Sequence, residues 1–116
     1  MLAQNTQSIA QLNYQARLHW FDPRYCRTML TQGIRALVQE NNDDLQGLML
    51  EIVGFDDFTS DNDPYGEHDF GSLNWGGDKI FWKIDYYDES FRYGSEDPSN
   101  PSITRRVMTV MLASEY

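Results

Sequence analysis

The segment from His68 to Tyr87 constrains the fold more than any other stretch, because it has the pattern of a β-hairpin. Two runs, His68–Trp75 and Lys79–Tyr87, flank the dipeptide Gly76-Gly77, which favours the tight turns that join antiparallel strands. In the second run, Ile80, Trp82, Ile84 and Tyr86 would share one face, and Phe81, Lys83, Asp85 and Tyr87 the other. We therefore expect Lys79–Tyr87 to be the central strand of a sheet. Its first face would meet helices, and its second face would be open to a partner.

Two helices and a strand are predicted upstream of the hairpin. The first helix is expected over Asn5–Trp20, with Asn5 or Thr6 as its cap. Its apolar stripe would contain Ile9, Leu12 and Ala16. The second helix is expected over Asn42–Gly54, where apolar side chains recur at helical spacing after a cap at Asn41 or Asn42. Between them, the alternation of Tyr25–Leu30 predicts a half-buried strand.

A further helix is predicted after the hairpin. Asn100 can cap it, with Pro101 at its first position. Its apolar stripe would be formed by Ile103, Val107, Val110 and Met111. With one short helical turn at Ile34–Val38, the main elements follow the order α-β-α-β-β-α. This order predicts an α+β fold in a single domain of 116 residues, with helices packed on one face of a small antiparallel sheet of about three strands.

Charge is distributed unevenly along the chain. The net charge is −9, and no Lys or Arg occurs between Arg35 and Lys79, a segment that contains eleven Asp and Glu residues. The rest of the chain has seven acidic and nine basic residues, so it is nearly neutral. Repulsion disfavours direct binding of this segment to nucleic acid, whereas a basic protein surface is a favourable partner. The alternative is that these carboxylates only keep the protein soluble.

Other sequence features narrow the cellular setting. No stretch has the roughly 20 apolar residues that a membrane span requires. The first residues have no basic stretch followed by an apolar run, so we expect no secretory signal. Cys26 is the only cysteine, which excludes an internal disulfide and fits a reducing cytoplasm. We expect a cytoplasmic protein without a cofactor.

Four motifs resemble those of a known family. They are DNDPYGEHDFG, FWKIDYYD, GSEDP and the ending TRRVMTVMLASEY, and the likeness runs from about Ile9 to Tyr116. The chain resembles a family of small bacterial proteins, often encoded on plasmids and other mobile elements, that is known only as a domain of unknown function. The resemblance implies no activity, cofactor or catalytic residue. Its setting implies an accessory role for a mobile element.

The acidic segment also contains residues that could form a metal site or an enzyme centre. Asp61, Asp63, Glu67 and Asp69 alternate as in an EF-hand loop, but Ser72 stands at the twelfth position, where calcium requires a bidentate Glu. We therefore expect no metal, and we interpret the acidic residues as turn formers. An enzyme or ligand-binding domain centred on His68 and Lys83 is the alternative function, with His68 as a general base.

The leading hypothesis is a non-enzymatic, acidic interaction protein. More specifically, it would be an inhibitor that mimics nucleic acid and blocks a host-defence nucleic-acid-binding protein, such as a CRISPR or restriction effector. The expected charged contacts are Asp56, Asp57, Asp61, Asp63, Glu67 and Asp69. A second surface would consist of Phe81, Lys83, Asp85 and Tyr87. A homo-oligomer that pairs through a sheet edge is a third possibility.

Overall fold

The computed structural model describes residues 2–116, and its side chains are described from Ser8 onward. The elements in chain order are α1 (Leu2–Leu18), β1 (Arg27–Leu30), α2 (Gln32–Glu40), α3 (Leu45–Val53), β2 (Phe70–Trp75), β3 (Asp78–Tyr87), β4 (Arg105–Leu112) and a 3₁₀ turn (Ala113–Glu115). The α+β class is therefore as predicted. Among these residues, no helix combines the length and the apolar character that crossing a bilayer requires.

The four strands form one mixed sheet in the order β1-β4-β3-β2. Strand β3 pairs antiparallel with both β2 and β4, whereas β1 pairs parallel with β4. The prediction of about three antiparallel strands is therefore wrong in strand number and in orientation. Strand β3 is an interior strand, as predicted, and it shares the interior of the sheet with β4.

The predicted hairpin is confirmed. Strands β2 and β3 pair from Phe70↔Lys83 to Trp75↔Asp78. Gly76 and Gly77 form the turn with φ of 62° and 87°, angles that glycine adopts without steric cost. On the buried face of β3, Ile80 and Trp82 are completely buried.

All three helices pack on this same face of the sheet. One continuous core cluster joins Ala16 of α1, the α2 residues Ile34 and Leu37, the α3 residues Leu48, Met49 and Ile52, and the strand residues Ile80, Trp82, Ile84, Met108 and Val110. The opposite face of the sheet carries no helix among residues 2–116. Burial of these apolar side chains is the main driving force of the fold.

The predicted C-terminal helix is wrong, because Arg105–Leu112 is strand β4. Met108 and Val110 are completely buried beside β3, at alternate positions of the strand. Asn100 caps a turn rather than a helix, since its side-chain oxygen accepts hydrogen bonds from Ser102 N and Oγ at 3.0 and 2.7 Å. The apolar residues fit both a helical and a strand period, and pairing with β3 decides between them.

Several helix boundaries also differ from the predictions. Helix α3 begins at Leu45, because Asn42 and Asp43 have φ of 64° and 56° and so cannot continue a helix. Asp44 caps it by accepting a hydrogen bond from Gly47 N at 2.9 Å. The short helical turn predicted at Ile34–Val38 extends to nine residues in α2.

The first helix is already helical at Leu2, upstream of the predicted start. The side chains of Asn5 and Thr6, its predicted caps, lie outside those described.

Candidate interaction surface

The acidic loop, residues 55–69, connects α3 to β2 and is held by its own side chains. Asn62 Oδ1 accepts a hydrogen bond from Thr59 N at 2.8 Å, and Asn62 Nδ2 donates to the carbonyl of Asp57 at 2.9 Å. Asp63 N also donates to the carbonyl of Thr59 at 2.8 Å. Phe55 and Phe58 anchor the loop because both rings pack edge-on against Trp82 in the core. The loop is therefore preorganised.

Three of the six predicted charged contacts lie on the outer surface of this loop. Asp56, Asp57 and Asp61 are exposed, and none of their carboxylates makes a hydrogen bond or ion pair with another described side chain. Tyr65 is 78% exposed on the same loop. The loop thus presents free carboxylates beside one large aromatic ring.

Asp63 is mainly structural. Its side chain is only 7% exposed, and its two oxygens accept hydrogen bonds from His68 N at 3.2 and 3.3 Å. One oxygen also lies 3.5 Å from His68 Nε2. His68 has φ of 55°, a left-handed conformation that is unusual for a residue with a side chain. Asp63 therefore stabilises the bend that leads into β2.

Glu67 belongs to a buried polar network between α1 and the sheet. Tyr86 Oη donates to Glu67 Oε1 at 2.7 Å, and Asn13 Nδ2 donates to Tyr86 Oη at 2.8 Å. Arg106 Nε donates to Asn13 Oδ1 at 2.7 Å. Burial raises the pKa of Tyr86 well above its ordinary value, and the bond to Glu67 adds to this effect, so the phenol keeps its proton. Since Asn13 is completely buried, the network lies inside the fold.

Asp69 is half-buried at the entrance to β2. Burial raises the pKa of its carboxyl group, and the charge of Glu67 adds to this shift, followed by smaller contributions from Asp63 and Asp85. The predicted set of six carboxylates thus divides into three that are exposed and three that are partly buried.

The predicted second surface lies on the helix-free face of the sheet. Lys83 and Asp85 of β3 form an ion pair there with Nζ and Oδ2 3.0 Å apart, which raises the pKa of Lys83. Phe81 is flanked by the rings of Phe70 and Tyr116 at centroid distances of 5.2 and 5.5 Å. Tyr87 is half-buried on the same face. The four predicted residues are therefore brought together, and the two charged ones, Lys83 and Asp85, are already paired with each other.

His68 and Lys83, the centre of the alternative function, are not brought together. The His68 ring stacks on Phe58 with centroids 4.1 Å apart, and Phe58 packs against Trp82 on the helix side. Lys83 projects from the opposite face of the sheet, because it alternates with Trp82 and Ile84. Residues 2–116 also contain no cluster of three His, Cys, Asp or Glu side chains suited to a metal ion. Cys26 is buried, and burial raises the pKa of its thiol.

Arg17 is a candidate that the sequence did not reveal. Its guanidinium Nη1 donates to the carbonyls of Ile52 and Phe55 at 2.8 and 2.9 Å, so it caps the C-terminal end of α3 and the start of the acidic loop. The residue is only 2% exposed, and its guanidinium carbon lies 4.8 Å from the centre of the Trp82 ring. The sequence signal was its position, since Arg17 lies eight residues after Ile9 and next to Ala16, on the predicted apolar stripe of α1.

These features define an acidic α+β protein whose free carboxylates are displayed on a preorganised loop. The chain belongs to the family described as "Protein of unknown function (DUF3768)", whose pattern matches residues 30–115. The family resemblance seen in the sequence is thereby confirmed, while a bacterial or mobile-element origin stays a prediction. Searches of curated proteins and of solved structures each found no match.

Proposed function

We propose that this protein is a non-enzymatic interaction protein that binds a basic surface of another protein through Asp56, Asp57 and Asp61. The observation that carries the proposal is that these three carboxylates are exposed and unpaired on a loop that is already fixed by internal hydrogen bonds. A preformed loop loses little conformational entropy on binding, so more of its electrostatic attraction contributes to affinity.

An uncharged anchor accompanies the carboxylates. Tyr65 is 78% exposed on the acidic loop, and Leu50 is 70% exposed on α3 shortly before it. Large side chains of this kind supply the desolvated contact area that surface charge alone does not give. A partner would therefore combine basic side chains with a site that accepts an aromatic ring.

The proposed partner is a nucleic-acid-binding protein, because such proteins carry basic grooves that fixed carboxylates can occupy in place of phosphates. Under this proposal the chain acts as an inhibitor that competes with nucleic acid. A host-defence effector, such as a CRISPR or restriction protein, is the form of this proposal that the mobile-element resemblance favours. The cytoplasm is the compartment where such a partner would be met.

The test is affinity capture of partners from a bacterial lysate at low and moderate salt. The wild-type chain is compared with a loop variant carrying Asp56→Lys, Asp57→Lys and Asp61→Lys. A matched control carries Asp78→Lys, Glu89→Lys and Glu96→Lys, which reverse three exposed acidic residues outside the loop and change the net charge equally. We expect a partner that is retained by the control, lost with the loop variant and weakened by salt.

A captured protein must also be released by its own nucleic acid if the chain mimics nucleic acid. Competition with a duplex or single-stranded oligonucleotide checks this point directly. Equal loss of the partner in both variants would show a nonspecific effect of net charge and contradict the proposal. Capture that is unaffected by the loop variant would likewise place the interface elsewhere.

A further inference from the structure

A cleft with a volume of about 1180 Å³ lies along α1 and beside the start of the acidic loop. Its walls include Tyr14, Arg17, Phe55, Asp56, Phe58 and His68. Asp56 also belongs to the proposed partner interface, but neither that interface nor the family match assigns a ligand to the cleft. Three aromatic rings, one imidazole and one guanidinium make this cleft unlike the carboxylate-rich surface around it.

Arg17 is the most unusual residue of these walls. It is almost completely buried, yet no carboxylate lies within ion-pair distance of it among the described side chains. The chain has 18 acidic residues for 9 basic ones, so an acidic partner was easily available. Burying a charged group without a counter-ion is costly, even when backbone carbonyls accept some of its hydrogen bonds.

The hydrogen bonds of Arg17 are all on one side of the guanidinium. Nη1 donates to three carbonyls, those of Ile52, Val53 and Phe55. In contrast, Nε is shielded from solvent and has no hydrogen-bond partner, and Nη2 donates to no described residue. The Nε–Nη2 edge is the edge through which an arginine binds a carboxylate or phosphate in a bidentate manner. Buried donors without an acceptor are rare in folded proteins.

We infer that this cleft is a binding site for a small ligand that carries an oxyanion, a carboxylate or a phosphate, held by Arg17. The guanidinium supplies the charge and the two free donors. Phe55, Phe58 and Tyr14 supply apolar walls for the rest of the ligand. Asp56 at the rim disfavours multiply charged anions and fits a ligand with one oxyanion and a neutral or cationic remainder. The inference is independent of the partner-binding proposal, because it concerns the isolated chain.

The probes are sodium phosphate and sodium acetate, which separate the two sources of an oxyanion. Each is titrated into ¹⁵N-labelled protein at constant pH and ionic strength, and the Nε–H signal of Arg17 is followed by NMR. We expect a saturable shift of this signal with at least one of the two anions. The exposed Arg24, which pairs with Asp22, provides an internal reference that should show no saturation. Absence of a saturable shift with both anions would overturn the inference.

Two neighbouring substitutions give a matched comparison. Asp56 lines the cleft and Asp57 does not. Asp56→Asn should tighten binding of the probe about two- to fivefold, because it removes a like charge from the rim, whereas Asp57→Asn should change it by less than about twofold. Both residues are exposed, so both variants should fold. Equal effects of the two substitutions would contradict a site in the cleft.

Arg17→Lys completes the test, since it keeps the charge but removes the planar pair of donors. We expect affinity for the probe to fall at least about tenfold. If this variant does not fold, the Asp56 and Asp57 comparison decides alone. An unchanged affinity in folded Arg17→Lys protein would show that Arg17 does not hold the anion. The two proposals can fail separately. A negative anion titration would not affect the capture of a partner by the acidic loop, and a negative capture experiment would not affect the shift of the Arg17 signal.

Discussion

At the scale of single residues, Arg17 caps the C-terminal end of helix α3, where many helices are capped by a glycine. Gly54 follows the last residue of helix α3, but this glycine keeps a right-handed backbone with φ of −80° and does not form the left-handed cap that often satisfies the last carbonyls. Arg17 reaches these carbonyls from another helix, and its positive charge lies at the negative end of the α3 dipole. One buried cation thereby fixes α1, α3 and the root of the acidic loop to each other.

Replacing Arg17 by Met should therefore destabilise the protein strongly. The substitution keeps an apolar stem but leaves the carbonyl of Phe55 without a donor, removes the Arg17 hydrogen bond to the carbonyl of Ile52, and removes the contact of the guanidinium with Trp82. We expect the free energy of unfolding to fall by about 3 kcal/mol, as measured by urea denaturation. Arg24→Met, at an exposed position, is the control and should have little effect. Equal losses in the two variants would contradict the capping role.

Replacing Asp69 should increase stability, in contrast to replacing Arg17. Its pKa is raised in the folded state, so the folded protein binds the proton of Asp69 more tightly than the unfolded chain does. Stability therefore falls as the pH rises from the ordinary value of 3.8 through the raised pKa. Asp69→Asn should stabilise the protein at pH 7, and the gain should disappear below the unfolded pKa.

Thermal unfolding across this pH range measures the effect, with exposed Asp61→Asn as the control. A loss of stability at pH 7 in Asp69→Asn would show that the carboxylate makes a favourable contact. The result also bears on the interface, because a half-buried carboxylate that destabilises the fold is a poor candidate for a partner contact.

At the scale of elements, packing between β2 and β3 depends on Gly71. The indole of Trp82 lies directly over this residue, and a Cβ atom at Gly71 would be 2.7 Å from Trp82 Cζ2. Because Trp82 is completely buried, it has no space into which it could move. Gly71→Ala should lower the free energy of unfolding by about 1–3 kcal/mol.

Gly94→Ala is the matched control for this substitution. A Cβ atom there would meet only the carbonyl of Tyr86, at the ordinary contact distance of 3.9 Å. Denaturation curves of the two variants, monitored by tryptophan fluorescence, should separate clearly. Similar midpoints would mean that the indole can shift away from the sheet.

The elements also show what the sequence could and could not predict. The hairpin was predictable because a Gly-Gly turn and a period of two agree within one short segment. Strand β4 was not, since Arg106 occupies a buried position and interrupts the apolar alternation that Met108 and Val110 continue. The charge of Arg106 is accommodated by Asn13 from the other end of the chain. The parallel pairing of β1 with β4 likewise depends on distant residues, which no local pattern records.

The roles of the individual carboxylates in the acidic loop could not be predicted from the sequence either. The sequence predicted a polar loop between α3 and the hairpin, which the structure confirms, but the six carboxylates chosen as contacts looked equivalent. Asp63 and Glu67 are distinguished only by their partners, His68 N and Tyr86 Oη. Arg17 was missed because its acceptors are backbone carbonyls, which have no trace in the sequence pattern.

At the scale of the whole molecule, charge is separated in space as well as along the chain. Three exposed carboxylates, Asp56, Asp57 and Asp61, extend from the acidic loop, whose base packs on the helix side of the sheet. The helix-free face carries four of the nine basic residues, namely Arg27, Lys79, Lys83 and Arg105. Salt should therefore act on two properties in opposite directions. It weakens attraction to a basic partner, and it relieves the self-repulsion of a chain with a net charge of −9.

The effect of salt on stability therefore distinguishes the carboxylates that are available for binding from those that stabilise the fold. Replacing Asp56, Asp57 and Asp61 together by Ala should leave the free energy of unfolding within about 0.5 kcal/mol of wild type, and it should reduce the stabilisation that salt gives. Replacing Asp63 and Glu67 by Ala should lower it by about 1–3 kcal/mol at every salt concentration, because His68 N and Tyr86 Oη lose their acceptors. Urea denaturation measures both effects at about 20 mM NaCl, where screening is weak, and at about 500 mM NaCl, where screening is strong. If the triple variant were less stable than the double variant, the exposed carboxylates would stabilise the fold. This result would contradict the proposal that they are free to bind a partner.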